Sequence, residues 1–195
     1  MTYTIKTVRR EDWRKVKEFR LTALRDPIAR LAFLETLEQA TARTDEAWQD
    51  RAQASAEGTT LRQFVAEAPD GGWLGTLMAR VELPGDETAF GELPKVPQTH
   101  VIGVFVQPAR RGTGVAEQLF RAALAWSWSL AEPRIERVRL HVHEDNLRAQ
   151  SFYRKVGFEH TGITVLVPGD TPFHEIELAI PRSRGEVAGQ LLERA

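Results

Sequence analysis

The chain of 195 residues is 42% hydrophobic and 27% charged, with five histidines, no cysteine and a formal net charge of −1. That is enough apolar content for one soluble core and too little charge imbalance for general attraction to nucleic acid or an anionic membrane. The lack of cysteine removes disulfides, thiolate metal sites and any acyl-cysteine intermediate.

No apolar stretch is long enough to span a bilayer, and MTYTIKTVRRED lacks a signal-peptide core. A cytoplasmic protein without membrane or nucleic-acid partners is expected. Tyr3 to Val8 alternates weakly and predicts a first strand. Arg9 to Asp12 then leads into a helix carrying Trp13, Val16, Phe19 and Leu24, which Asp26-Pro27 ends. Ile28 to Ala40 repeats Leu31, Leu34 and Leu37 at helical spacing, and a third helix is expected from an N-cap at Thr44 to Ala56. Leu61 to Glu67 and Trp73 to Glu82 read as antiparallel strands joined by Pro69-Asp70-Gly71-Gly72. Leu83 to Gln98, rich in Pro, Gly and Glu, reads as a loop.

Val101 to Val106 has the length and β-branched content of a buried strand and stops at Gln107-Pro108. From Gly112 onward, Val115, Leu119, Ala122, Ala123, Trp126 and Leu130 recur at helical spacing. The basic, glycine-bearing segment Arg110-Arg111-Gly112-Thr113-Gly114 therefore stands where a strand hands over to a helix N-terminus. Free backbone N–H groups, a positive helix dipole and glycines that admit close approach suit that junction to an anion such as phosphate. An ordinary turn with solvated arginines is the alternative. The Walker pattern is absent, and the dinucleotide fingerprint lacks its third glycine, with Glu117 in that place.

After Pro133, Arg137 to His143 alternates Val138, Leu140 and Val142 with polar residues, a half-buried strand. Glu144-Asp145-Asn146 caps a short helix with Ala149, Phe152, Tyr153 and Val156 on one face, and Gly157 stands at its left-handed end. Phe158 to Val167 and His174 to Ile180 make a final strand pair around Pro168-Gly169-Asp170, and Leu191-Leu192 could dock a last half-helix. The order predicts an α/β (α+β layered) fold with a mixed, mostly antiparallel sheet of about seven strands flanked by helices. One domain is expected over 1–182, with a tail over 183–195. His141 and His143 share a strand face, but no third ligand follows nearby in sequence, so no metal is expected.

Two stretches carry a family resemblance. Arg111-Gly112-Thr113-Gly114-Val115-Ala116, after Val104-Phe105-Val106-Gln107-Pro108, resembles the R/Q-x-x-G-x-G/A acyl-CoA loop of the GNAT superfamily of N-acetyltransferases. Asn146, Ala149, Phe152-Tyr153 and Gly157-Phe158 resemble its second signature, N-x-x-A-x-x-F-Y-x-x-x-G-F. The similarity runs from about Thr99 to Gly162. It implies a GNAT-like acyl-CoA N-acyltransferase fold with acetyl-CoA as acyl donor and no metal. It also implies that main-chain N–H groups of Arg111 to Ala116 hold the coenzyme pyrophosphate, with Arg110 and Arg111 assisting. Val104 and Val106 would pair with the pantetheine arm, with Phe105, Ala149 and Phe152 at the same coenzyme site. Asn146 would contact the arm from the other side, and Tyr153 would protonate the departing thiolate.

An alkylammonium with a pKa near 10.4 is nucleophilic in only about one molecule in a thousand at pH 7, so a base is required. His100, just ahead of the central strand, is the base favoured for its imidazole, with Glu82 and Glu92 as alternatives. His141 and His143 read as solvated or packed, and His174 carries no assigned role. The alternative for Tyr153 is a core aromatic beside Phe152. The acceptor would be an amine on a small molecule or peptide. Near Phe33 and Trp48, the carboxylates of Glu35, Glu38, Asp45 and Glu46 could form an acidic rim, though a solvated helix face explains them better. Trp126 and Trp128 would pack in or near the core or mark a homodimer contact. A non-catalytic acyl-CoA-binding regulatory module is the alternative function, and a generic nucleotide-binding domain a weaker third.

Overall fold

In the computed structural model, residues 2–167 and 172–184 are described. The turn expected at Pro168-Gly169-Asp170 and the docking of Leu191-Leu192 lie outside them, as does the expected tail from 185 onward. The strands are β1 (Thr4–Thr7), β2 (Leu61–Glu67), β3 (Trp73–Glu82), β4 (Gln98–Val106), β5 (Arg137–His143), β6 (Glu159–Leu166) and β7 (His174–Pro181). The helices are α1 (Trp13–Leu24), α2 (Leu37–Ala42), α3 (Asp45–Glu57), α4 (Val115–Ser129) and α5 (Leu147–Lys155). The seven strands form one mixed sheet in the order β1-β2-β3-β4-β5-β7-β6. By backbone contacts the chain falls into two compact units, Met1–Met78 with Gly103–Phe120, and Ala79–Ile102 with Arg121–Ala195.

In the first unit, β1 pairs antiparallel with β2, from Thr4 opposite Glu67 to Thr7 opposite Phe64. Its core gathers Val16, Phe19, Ala23 and Leu24 of α1 with Trp48 and Ala52 of α3, Val65, Trp73 and Phe105. Phe19 sits edge-on to both Trp73 and Phe105, with ring centroids 5.8 and 5.5 Å away, an arrangement aromatic quadrupoles favour. Helix α3 starts where Thr44 accepts from the Ala47 N–H and ends at Gly58, whose φ of 64° only glycine adopts freely. The single helix expected over Ile28 to Ala40 is broken into a 3₁₀ turn, Ala29–Leu31, and α2. Thr36 makes a reciprocal capping box with Gln39 and begins a new helix, a local signal that overrides the leucine spacing. At Gly75, an added Cβ would meet Val115, Leu119 and the Phe105 carbonyl at 3.0–3.1 Å, so the first turn of α4 lies directly against β3.

In the second unit, β5 pairs antiparallel with β7 over seven residues, and β7 with β6 across a register shift between His160 and Thr164. The β4–β5 ladder is parallel and comprises three pairs, Gln98 with Arg137, Thr99 with Val138 and His100 with Arg139. β4 thus begins three residues ahead of the apolar run that marked it. Gln98, Thr99 and His100 hid that extension because they are polar, yet all are buried and hydrogen-bonded, Thr99 to Ser127 of α4 for example. Trp126 is buried, and the Arg182 guanidinium lies 5.7 Å over the Trp128 ring while donating to the Trp128 and Ile135 carbonyls.

Trp48 is fully buried at the centre of the first core. Trp48→Ala should cost about 3–5 kcal/mol of unfolding free energy in a denaturant titration; a loss near zero would contradict this core assignment.

Candidate active site

At the end of β4 the chain passes through a 3₁₀ turn, Pro108–Arg110, into the glycine segment and α4. Gly112 and Gly114 have φ of 78° and 87°, so both glycines are required by the backbone. Among the described residues, and apart from the flanking ones, no atom comes within 4 Å of the Cβ position at Gly112, and at Gly114 the Tyr3 hydroxyl lies at 4.0 Å. The ladder of α4 begins with Gln118 N–H donating to the Gly114 carbonyl. The N–H groups of the first turn therefore have no intrahelical acceptor and lie at the positive end of a 15-residue helix.

Arg111 is placed differently from its neighbours. Its N–H donates to the Pro108 carbonyl, its Nε to the Val106 carbonyl at 3.1 Å, and its Nη2 to the Asp26 carboxylate at 2.5 Å. The Asp26 side chain is 4% exposed, so the ion pair is largely desolvated and anchors the loop to the end of α1. The Arg111 side chain is thus committed to holding the loop in shape. Thr113 reinforces it, its hydroxyl donating to the Arg110 carbonyl. The 85-residue separation of Arg111 and Asp26 left no trace in the sequence pattern.

The second unit holds a buried network. Glu82, closing β3, accepts from Gln98 Nε2 at 2.7 Å and Arg139 Nε at 2.9 Å, and its other oxygen is 2.9 Å from His100 Nδ1. His100 Nε2 lies 3.2 Å from His141 Nδ1, and His141 Nε2 lies 3.3 Å from Glu92, with the Phe90 ring 4.4 Å from the imidazole. Arg139 Nη1 bridges Glu92 and Glu177 at 2.7 and 2.8 Å, and Arg137 donates to Glu177 and Gln98. Three carboxylates thus face two guanidiniums and two imidazoles in this network.

Burial by itself would raise the Glu82 carboxyl, but the hydrogen bond and charge of His100, with Arg139 and Gln98, hold it at about 2. Burial first, then the charges of His100 and Arg139, push the His141 imidazole down to about 2, so it is neutral. The base candidates His100, Glu82 and Glu92 therefore belong to a single network that His141 joins. His100 is buried rather than at a solvent edge, and both its ring nitrogens are engaged.

One ligand atom each of Glu92, His141 and Glu177 lie within 4.8 Å of one another, bringing to His141 the further ligands its sequence neighbourhood lacked. The Arg139 guanidinium already stands between the two carboxylates, so a metal ion would have to displace it. His143 is buried and accepts from the Asp145 N–H, while His174 pairs with Glu144.

Tyr153 of α5 is buried between the rings of Phe152 and Phe158, at 5.7 and 6.3 Å. Burial, then the charge of Glu175, raise its phenol above the usual range. Glu175 was missed by sequence reasoning; burial lifts its carboxyl to about 7. The available signal was two acidic residues two apart, Glu175 and Glu177, in the otherwise apolar strand H-E-I-E-L-A-I. Asn146 caps α5, its side-chain oxygen accepting from the Ala149 N–H, and Ala149 and Phe152 are half-buried on the same helix. Of the carboxylates considered for an acidic rim, Glu35 is claimed by Arg20 and Arg43, Asp45 by Lys17, and Glu38 and Glu46 are solvent-exposed.

The model of the acetyltransferase (GNAT) family matches residues 26–158. A mycothiol acetyltransferase of Kytococcus sedentarius is 33% identical over 130 residues, 67% of this chain and 36% of that protein. One from Kineococcus radiotolerans is 34% identical over 130 residues, with 67% and 34% covered. The chain thus spans about a third of the length of these curated relatives. Among solved structures, the spermidine N-acetyltransferase of Vibrio cholerae in complex with CoA and spermine superposes with a TM-score of 0.66 at 16% identity, covering 94% of this chain and 98% of that one. A GNAT-family acetyltransferase of Streptococcus pneumoniae does so at 0.66 and 14%, covering 92% and 99%. These structural likenesses are of fold.

A raised carboxyl favours the folded state most below its unfolded pKa and ceases to do so as pH rises through the folded value. For Glu175 that window runs from about 4.5 to about 7. Glu175→Gln should therefore melt higher than the parent at pH 8 and lose that advantage by pH 4.5. An equal difference at both pH values would show that the carboxyl is not the cause.

Proposed function

Because the chain belongs to the acetyltransferase (GNAT) family, we propose that it transfers the acetyl group of acetyl-CoA to a primary amine of a small molecule or peptide, by direct attack. The observation that carries the donor half is the open helix end at Gly112–Gly114, with left-handed glycines and, among the described residues beyond the flanking ones, no atom within 4 Å of the Gly112 Cβ position. Gly112, Thr113, Gly114, Val115 and Ala116 would present N–H groups to the pyrophosphate, with Arg110 adding charge and Arg111 holding the loop. The backbone of Val104 and Val106 would take the extended pantetheine arm as an added strand beside Phe105, and a main-chain N–H near Val104 would stabilise the developing oxyanion. Asn146, Ala149 and Phe152 would contribute to the same coenzyme site.

The amine attacks the thioester carbon, the carbon–sulfur bond breaks, and the ammonium proton must leave. His100, backed by Glu82 and linked to His141, is the proposed base, and the network spreads the charge it gains. Tyr153 would supply the proton for the departing thiolate. Its burial keeps the phenol protonated until a thiolate forms in the same low-dielectric surroundings, where that thiolate's own affinity for a proton is raised. The curated relatives are named acetyltransferases, so a coenzyme-binding module without chemistry is not favoured.

Purified protein given acetyl-CoA and a panel of amines should release free thiol, and calorimetry should detect coenzyme binding. Absence of coenzyme binding would end this reading. Tyr153→Phe should lower turnover by about 10² while coenzyme affinity is kept, the usual size of a general-acid effect; unchanged turnover would remove Tyr153 from its role. Gly112→Val, which forces a β-branched residue to positive φ, should weaken coenzyme binding by about tenfold or more with the fold intact by circular dichroism.

A further inference from the structure

The first unit encloses a cavity of about 20 Å³, room for about one water-sized group. Gly103 and Phe105, the residues on either side of Val104 in β4, form one wall. Its polar walls are Arg20 of α1, Arg51 of α3, Gln63 of β2 and Thr76 of β3, and no carboxylate lines it. A Cβ at Gly103 would meet the Met78 Cε at 2.8 Å, so any larger residue there would have to move the methionine, which also borders the space.

The polar pair in this wall is only half satisfied. Thr76 Oγ1 donates its one hydrogen to the Phe64 carbonyl at 2.8 Å, so toward Gln63 it can only accept. It accepts from Gln63 Nε2 at 3.0 Å, which fixes the way round that the amide stands. Gln63 Oε1 is thereby turned away from Thr76. Gln63 is 5% exposed, and its Oε1 is buried with no hydrogen-bond partner among the described residues. A buried amide oxygen left so costs free energy that a donor arriving in the cavity would recover.

We propose that this cavity is a subsite for the acceptor amine, which bears a hydroxyl group that enters it and donates to Gln63 Oε1. The assignment rests on the acetyl-transfer reading, in which the pantetheine arm follows the main chain of Val104, between the two β4 residues that line the cavity. A hydroxyl matches the space in size and in both senses of hydrogen bonding. Its hydrogen meets Gln63 Oε1, and its oxygen faces the side of the wall formed by guanidinium groups, which only donate. An ammonium would be desolvated there with no carboxylate in the wall. A carboxylate would set its lone pairs against Gln63 Oε1, and Arg20 is already paired with Glu35 at 2.9 Å. A methyl group would fill the cavity and leave the amide oxygen unmet.

The test separates this subsite from turnover. Calorimetry with coenzyme A present compares N-acetylated amino alcohols of graded chain length, as product mimics, with the N-acetylated alkylamines in which methyl replaces hydroxyl. The parent is set beside Gln63→Met and Gln63→Leu, whose folding is checked by circular dichroism. In the parent at least one hydroxyl compound should bind about tenfold or more tighter than its methyl counterpart, and the ratio should fall toward unity in the variants. A hydroxyl is better hydrated than a methyl, so without an acceptor waiting for it the order would be reversed. Thiol release from the free amino alcohols should likewise exceed that from the matching alkylamines. A ratio at or below unity throughout the series in the parent, or one unchanged in a folded variant, overturns the hydroxyl subsite even if acetyl transfer is observed. Conversely, a hydroxyl preference that the variants abolish, without thiol release from any amine, upholds the subsite and overturns the acetyl-transfer reading.

Discussion

Arg139 is 2% exposed and touches three carboxylates, those of Glu82, Glu92 and Glu177. Three anions could not remain in that interior without a fixed cation, because the cost of desolvating each exceeds what neutral hydrogen bonds return. The guanidinium suits the position because its planar fork reaches several acceptors at once and its charge is never lost. His100 and His141 are arranged around this centre. Glu82 is shared between Arg139 and His100, so the imidazole nearest the carboxylate and the guanidinium beside it feel one another's charge. An imidazole held through both ring nitrogens keeps one orientation, which a histidine at a solvent edge would not.

Ion pairing also operates in the first unit, where Glu35 accepts from Arg20 at 2.9 Å and from Arg43 at 2.7 Å. The Arg111–Asp26 pair serves shape: it ties the strand-to-helix loop to the chain just after α1.

Glycines divide along similar lines. Gly58 and Gly157 end helices, a local duty. Gly112 and Gly114 carry the positive φ of an open loop, and Gly75 and Gly103 leave space for protein neighbours. Identical residues thus serve helix ends, an open loop and close packing, and backbone angle alone does not distinguish them.

Much of the molecule was determined by short-range pattern. The limits of β2, β3 and β5, the Thr44 cap, the glycine loop before α4 and the motif around Asn146 to Phe158 all depend on residues within a few positions of one another, where periodicity and capping act directly. The start of β4 and the break at Thr36 were misread because buried polar residues look solvent-facing and leucine spacing looks continuous until partners are known. What only the tertiary structure decided are the pairings between residues 38 to 85 positions apart: Arg139 with Glu177, His100 with His141, Arg139 with Glu82 and Arg111 with Asp26. Charge on a side chain is legible in sequence, but whether water or another charge compensates it depends on burial, which the whole chain sets together.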